Sequence, residues 1–146
     1  MGTLTLNLLG TRFWSPSKDG DRIGFALARR HYSAKKNPYP TQRLFVGPGE
    51  KLVLIGLDGR AVFAWRKQKF RRDRQRGVNC SIFRNESNHR SSDMILEAMW
   101  FAQERWGDER LFTFVDVREV KSQNPGYCFL KAGWRKCGKS ANGLLI

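Results

Sequence analysis

The most conspicuous chemical pattern in the sequence lies near its C-terminal end. Residues 133–140 (GWRKCGKS) match the phosphate-loop pattern G-x-x-x-x-G-K-[ST] letter for letter. Such a loop holds nucleotide phosphates only when a strand leads into it and a helix follows it. The residues before Gly133 favour a short helix, and the six after Ser140 are too few for another one. We therefore expect no nucleotide hydrolysis at this segment.

A second pattern is a cluster of basic residues at 66–76 (RKQKFRRDRQR). Cationic side chains bind the phosphates of nucleic acids by displacing condensed counterions, so the cluster favours a DNA or RNA partner over a solvated face without one. The side chains that we expect to contact the DNA backbone are Arg66, Lys67, Lys69, Arg71, Arg72, Arg74 and Arg76, with Lys131, Arg135 and Lys136 further along the chain. Trp65, Phe70 and Trp134 lie beside these charges. Core packing is the favoured role for each of them, and stacking on an exposed base is the alternative.

The amino-acid composition excludes several classes of protein. The chain has 146 residues with 27 Lys and Arg against 13 Asp and Glu, which gives a formal net charge of +14. So large an excess on a small chain indicates a polyanionic partner. Hydrophobic residues make up 40% of the sequence, which excludes wholesale disorder and suits a single domain over residues 1–146. No apolar run is long enough for a membrane span, and no signal peptide is evident, so we expect a cytoplasmic protein that does not enter a membrane.

The three cysteines, Cys80, Cys128 and Cys137, are too few and too far apart for a disulfide framework or a four-cysteine zinc site. Reduced thiols are therefore expected.

The elements that must position these residues can be read from hydrophobic periodicity and turn signals. Residues 50–58 and 60–70 are apolar runs joined by Asp58-Gly59, a pair typical of a tight hairpin turn. Further strands are predicted at 3–9, 77–84, 110–117 and 143–146, with helices at 21–32, 91–106 and 124–133 and a loop at 15–20. Ser91 or Ser92 is expected to cap the long helix, whose apolar face includes Ile95, Ala98 and Ala102. This order predicts an α+β fold with a mixed sheet of six or seven strands flanked by helices.

The segment Asn124-Pro125-Gly126-Tyr127-Cys128-Phe129-Leu130-Lys131-Ala132-Gly133-Trp134 resembles the N…(F/Y)-x-K-x-G-(F/W) signature near the end of GNAT acyltransferases. The strand–helix–strand order before it is similar to that fold as well. The resemblance covers roughly residues 20–146 and implies a GNAT-like central sheet.

Two departures from the GNAT pattern distinguish this chain from the acyl-CoA-dependent enzymes that it resembles. Acyl-CoA enzymes of this kind hold the donor pyrophosphate on a glycine-rich loop, whereas the corresponding residues here, 83–92 (FRNESNHRSS), contain no glycine. The tyrosine that often protonates the leaving thiolate falls on Phe129. Acetyl-CoA is therefore not the expected donor.

A small, basic, GNAT-like chain without the CoA loop resembles the Mom DNA-modification proteins of Mu-like phages. The residues that carry this likeness are His31, Tyr32, Ser33, Asp116 and Tyr127. It implies transfer of a carbamoylmethyl-type group to adenine N6 in double-stranded DNA, which protects phage DNA from restriction.

The resemblance also implies roles for individual residues. Asp116 and Tyr127 would handle protons, and Tyr32 and Ser92 complete the candidate catalytic set. His31, Tyr32 and Asp116 offer nitrogen, phenolate and carboxylate ligands for iron, against the ordinary reading of a solvated histidine and a paired aspartate. The residues expected to bind a small amino-acid-like donor are Asn85, Glu86, Ser87 and Asn124, with Ser91, Ser92 and Asp93 at the start of the long helix as the alternative.

Two other functions stay open at this point. One is N-acylation of a different amine with an ordinary acyl-CoA donor, and the other is nucleic-acid binding without catalysis. The sequence leaves the chemical donor open, and it is compatible with a monomer and with a homodimer.

Overall fold

The computed structural model describes residues 12–30, 44–69, 75–115 and 126–138. Their elements, in chain order, are β1 (Trp14–Ser17), α1 (Arg22–Arg29), β2 (Glu50–Gly56), β3 (Ala61–Lys67), β4 (Val78–Asn85), α2 (Ser91–Trp106), β5 (Leu111–Thr113) and α3 (Tyr127–Lys131). The fold is mixed α+β, with one sheet in the order β1-β2-β3-β4-β5. Neighbouring strands are antiparallel except β4 and β5, which are parallel. The strands expected at 3–9 and 143–146 lie outside the described residues.

The central hairpin confirms the sequence prediction. β2 and β3 pair from Glu50↔Lys67 to Ile55↔Val62. Gly59 adopts a positive φ of 73°, and Asp58 Oδ1 accepts a hydrogen bond from the Arg60 amide at 3.0 Å. The aspartate thus supplies the side-chain acceptor, and the glycine supplies the positive φ, that a tight turn requires.

Strand β1 corrects the expectation of a loop at 15–20, because residues 15–17 pair with β2. Pro16 is tolerated there since β1 is the edge strand of the described sheet, where a missing N–H removes no ladder bond from a second described neighbour. Trp14 anchors the strand: its ring is fully buried, and its indole nitrogen donates to the Met94 carbonyl at 2.8 Å. Burial of a large aromatic side chain outweighs the local turn preference of the Ser-Pro-Ser sequence.

The sheet is covered on both faces. One face packs against α2 and the residues that follow α3, and its buried members are Trp14, Leu54, Ala61, Phe63, Trp65, Val78, Cys80, Met94, Ile95, Ala98, Ala102 and Ala132. The other face packs against α1, and its buried members are Leu27, Ala28, Val46, Val53, Ile55, Val62, Ala64 and Ile82. Alternation of side chains along β3 divides its apolar residues between these two layers.

A β-bulge interrupts β4. Ala64 pairs with Ile82 and Trp65 pairs with Cys80, so Ser81 is an extra residue opposite β3. Cys80 belongs to the α2 face, and Ile82 belongs to the α1 face. Since a regular strand would place both on one face, the bulge reverses the alternation for the rest of β4.

Helix α2 spans Ser91–Trp106 as the sequence predicts, with Ile95, Ala98 and Ala102 buried. The prediction of a serine cap is wrong: the N-cap residue is Arg90, and no side chain caps the helix. α1 and α3 are shorter than the helices expected at 21–32 and 124–133, and β5 is shorter than the strand expected at 110–117. Among the described residues, no helix has the length and apolar character that a membrane crossing needs.

Candidate active site

The candidate site lies where β4 and β5 stop pairing. Their parallel ladder runs from Val78↔Leu111 to Cys80↔Thr113, whereas β4 continues to Asn85. The bulge at Ser81 follows the last pair directly, so β4 bends at the residue where the ladder ends. Thr113 Oγ1 donates to the Cys80 carbonyl at 2.9 Å and closes the ladder. Among the described residues, the regular ladder between the two strands ends at this pair while β4 continues for five more residues, and we call this end of the ladder the opening.

Helix α3 begins beside this opening. Gly126, its N-cap residue, has a left-handed backbone with φ 77°, and a Cβ built on it would lie 3.5 Å from Val115 Cγ2. The start of α3 therefore abuts the residues that follow β5. Tyr127, the first residue of the helix, is 54% exposed and presents its phenol to solvent. Of the two candidate catalytic residues that the structure describes, Tyr127 is exposed and Ser92 is buried.

An aromatic layer underlies the opening. The Phe83 ring contacts Phe129 at 6.1 Å between centroids, and Phe129 contacts Trp134 at 4.8 Å. Trp134 stacks on the fully buried Trp65 at 6.2 Å, and its indole nitrogen lies 3.2 Å from Met99 Sδ. Trp65 is thus a core residue, as favoured from the sequence, and it is not accessible to a nucleic-acid base.

Cys80 and Cys128 both belong to the apolar layer on the α2 face of the sheet, and both thiols are free. Burial raises the pKa of each thiol above its ordinary value. A raised pKa keeps the sulfur protonated at neutral pH, which disfavours either cysteine as a nucleophile.

The predicted donor-binding residues Asn85 and Ser87 bond within their own loop. Asn85 Nδ2 donates to the His89 carbonyl at 2.9 Å and to Ser91 Oγ at 3.0 Å. Asn85 Oδ1 accepts from the amide and the hydroxyl of Ser87. These bonds set the shape of the loop between β4 and α2, so the two side chains act first as scaffold.

Glu86 is held between two arginines. Arg30 donates to it through Nε at 2.7 Å and through a terminal nitrogen at 3.0 Å, and Arg84 donates through Nε at 2.6 Å. These hydrogen bonds lower the pKa of the Glu86 carboxyl to about 2. Arg84 also donates to the Arg30 carbonyl at 2.7 Å, which ties the end of α1 to β4. Two guanidinium groups share one carboxylate, and the surplus positive charge favours an anionic ligand.

Ser92 is buried, with 6% exposure, in the first turn of α2. A direct catalytic contact of its hydroxyl with a large substrate is not supported by this position. Ser91 accepts the hydrogen bond from Asn85 instead of capping the helix.

The first two basic residues predicted to bind DNA do not share one face of the sheet. Arg66 and Lys67 are consecutive in β3 and so lie on opposite faces of the sheet. Lys67 Nζ forms an ion pair with Glu109 at 2.6 Å, and Arg66 Nε donates to the Pro48 carbonyl at 2.7 Å. Arg76 and the three cations at and after the end of α3 (Lys131, Arg135 and Lys136) are exposed, as is Lys69.

Several predicted residues lie outside the described part of the chain. They are His31, Tyr32, Asp116 and Asn124, together with Arg71, Arg72 and Arg74. Within the described residues, no group of three or more His, Cys, Asp and Glu side chains is arranged to hold a metal ion. Iron binding by His31, Tyr32 and Asp116 stays a prediction.

The sequence reasoning missed Glu97. It is 3% exposed in α2, and its carboxylate accepts from the backbone amides of Arg12, Phe13 and Trp14 at 2.8, 3.0 and 2.8 Å. A charged residue between apolar neighbours in a predicted helix was the available signal. Its partners, more than 80 positions away in the chain, could not be found from the sequence.

Comparison with known proteins adds no relative. No protein-family model, curated protein or solved structure matches this chain. Its function is therefore inferred from its own residues and their arrangement.

Proposed function

We propose that this chain is a DNA-modifying transferase with a GNAT-like fold that acts on the N6 amine of adenine. The observation that carries the proposal is the opening between β4 and β5, created where the Ser81 bulge and the end of the ladder coincide. Bulges recur next to active sites, and crevices at the ends of parallel strands are frequent ligand sites. The net charge of +14 supplies the attraction for DNA.

The polar loop after β4 favours a small donor over acyl-CoA. It contains no glycine, and its polar side chains bond to one another, so few backbone amides are available to a pyrophosphate. The positive surplus of the Arg30–Glu86–Arg84 cluster would attract the carboxylate of an amino-acid-like donor.

Chemistry at adenine N6 requires an accessible base and help with proton transfer. The amine is a poor nucleophile because its lone pair is delocalised into the ring, and a base inside a duplex must be extruded before it can react. Tyr127 is exposed at the start of α3 and would move a proton to or from the reacting amine. Asp116 follows Val115 directly in the sequence and is proposed as its partner.

Mass spectrometry of nucleosides from plasmid DNA tests the proposal in cells that express the protein. We expect a new adenosine species whose mass identifies the added group. Tyr127→Phe removes one hydroxyl and should lower the modified fraction by about 100-fold or more, the usual contribution of a general acid or base. Ser15→Ala is the matched control, because it removes an exposed hydroxyl on the opposite edge strand.

Three results would count against the proposal. Full modification of DNA by the Tyr127→Phe variant would show that Tyr127 does not take part in proton transfer. Unmodified DNA from well-expressed, folded protein contradicts DNA modification itself. Tight binding of CoA in a calorimetric titration would instead favour an acyl-CoA-dependent N-acyltransferase that uses the same opening.

A further inference from the structure

Three arginines distant in the sequence converge beside the candidate site, and we call Arg12, Arg60 and Arg90 the arginine rim. We infer that the rim is the surface on which the phosphate backbone of double-stranded DNA docks. The identity of the partner rests on the proposed function. The rim residues lie outside the two basic segments that stand out in the sequence.

Convergence of the rim follows from contacts between the segments that carry it. The ring of Phe13, which follows Arg12, lies 5.1 Å from the ring of His89, which precedes Arg90. His89 Nε2 is 3.7 Å from Asp58 Oδ2 in the turn that leads to Arg60. The Arg60 carbonyl accepts from the Glu86 amide at 2.7 Å. The start of β1, the β2–β3 turn and the β4–α2 loop therefore meet at one end of the sheet.

The rim guanidinium groups have no acidic partner among the described residues. All three side chains are exposed, and the Arg12 guanidinium lies 5.2 Å from the centre of the Phe13 ring. The carboxylates nearby are largely engaged: Asp58 faces His89, Glu86 is held by Arg30 and Arg84, and Glu97 accepts three backbone amides. Asp93, in the first turn of α2, is exposed. With Arg30 and Arg84 included, five arginines and four carboxylates lie at this end of the sheet, a surplus of one positive charge.

The chemistry of the rim suits phosphate. A guanidinium group offers a planar fork of donors that matches phosphate oxygens, and it carries its charge at every physiological pH. Lys67 in the sequence-predicted cluster is, in contrast, already paired with Glu109. Arg90 lies in the loop that follows β4, the strand on one side of the opening in which an extruded adenine would react.

Fluorescence anisotropy with a labelled 20-base-pair DNA duplex, at several NaCl concentrations, tests the inference. The rim variant carries Arg12→Gln, Arg60→Gln and Arg90→Gln. The charge-matched control carries Lys131→Gln, Arg135→Gln and Lys136→Gln, which removes three exposed cations from a sequence-predicted DNA segment. Since Arg90 caps α2 without a side-chain hydrogen bond, its replacement leaves the helix start intact, and thermal unfolding checks the fold of both variants.

We expect the rim variant to raise Kd by about tenfold or more and to reduce the salt dependence of log K by about 2 to 3, one counterion for each lost phosphate contact. The control should lose less on both measures. An equal or larger loss in the control, no binding by the unmodified protein, or a rim effect on an RNA duplex but not on DNA would overturn the inference. Rim-dependent binding without a modified adenosine would leave the inference standing and contradict the proposed function alone.

Discussion

At the scale of single residues, the loop after β4 shows how side chains that look like ligands can serve the scaffold. Asn85 and Ser87 bond to each other, and Glu86 bonds to Arg30 and Arg84. The arginine partners determine the charge of Glu86 and lower its pKa to about 2. These residues shape the loop between β4 and α2 and fix the end of α1, from which His31 and Tyr32 continue in the sequence.

Glu86→Gln should reduce stability in a pH-dependent manner. The folded-state pKa lies below the ordinary 4.5 of a glutamate, so the stabilisation is complete above about pH 4.5 and is lost as the pH falls towards 2. Urea unfolding from pH 2 to 7 should show the largest difference between the unmodified protein and the variant near neutral pH. Glu104→Gln is the control, because Glu104 is exposed on α2 without a partner among the described residues. A pH profile that is the same for both variants would contradict the role of the two arginines.

At the scale of elements, the junction between β4 and β5 controls the geometry of the opening. The Val78 amide donates to the Arg110 carbonyl at 2.7 Å and starts the parallel ladder. Gly77 precedes it with a φ of 108°, and a Cβ on Gly77 would overlap the carbonyl oxygen of Arg110. Glycine is required here both for its backbone angle and for the close approach of the two chains.

Gly77→Ala should therefore destabilise the protein by about 3 kcal/mol or more, because backbone strain adds to a steric clash. Gly133→Ala is the matched control. Gly133 has a positive φ of 98°, but no described atom lies within 4 Å of the position that an alanine methyl group would take, so its substitution should cost only about 1–2 kcal/mol. Free energies of unfolding in urea provide the comparison, and equal losses would show that the contact with Arg110 does not constrain the junction.

At the scale of the whole molecule, the sheet is buried on both faces, and its strands differ in how many neighbours they have. β3 pairs with β2 and β4 and has five consecutive buried residues, Ala61 to Trp65. β1 pairs with β2 alone among the described strands, and three of its four residues are exposed. Stability should therefore fall from β3 towards the edges of the sheet.

Hydrogen exchange followed by mass spectrometry checks this gradient. We expect peptides from β3 to exchange about tenfold more slowly, or slower still, than peptides from β1, because opening β3 breaks two ladders and exposes the core on both faces. Equal protection of β1 and β3 would mean that the edge strand unfolds only with the whole sheet.

The sequence by itself determined the features whose causes are local. Asp58-Gly59 specifies the turn between β2 and β3, and the apolar spacing of Ile95, Ala98 and Ala102 specifies α2. The apolar runs of β2 and β3 are continuous because both faces of the sheet are buried, and that made them recognisable.

Tertiary structure alone decided the features that depend on distant contacts. The Ser81 bulge, the pairing of β1, the contact of Arg30 with Glu86 and the amides on Glu97 each join segments well separated in the chain. Such contacts leave no periodic pattern in the sequence. The free energy that selects them comes from burial and hydrogen bonding between segments, and not from local propensity. Tyr127 was predicted as a site residue from its local motif, whereas the rim and the opening exist only once the sheet has formed.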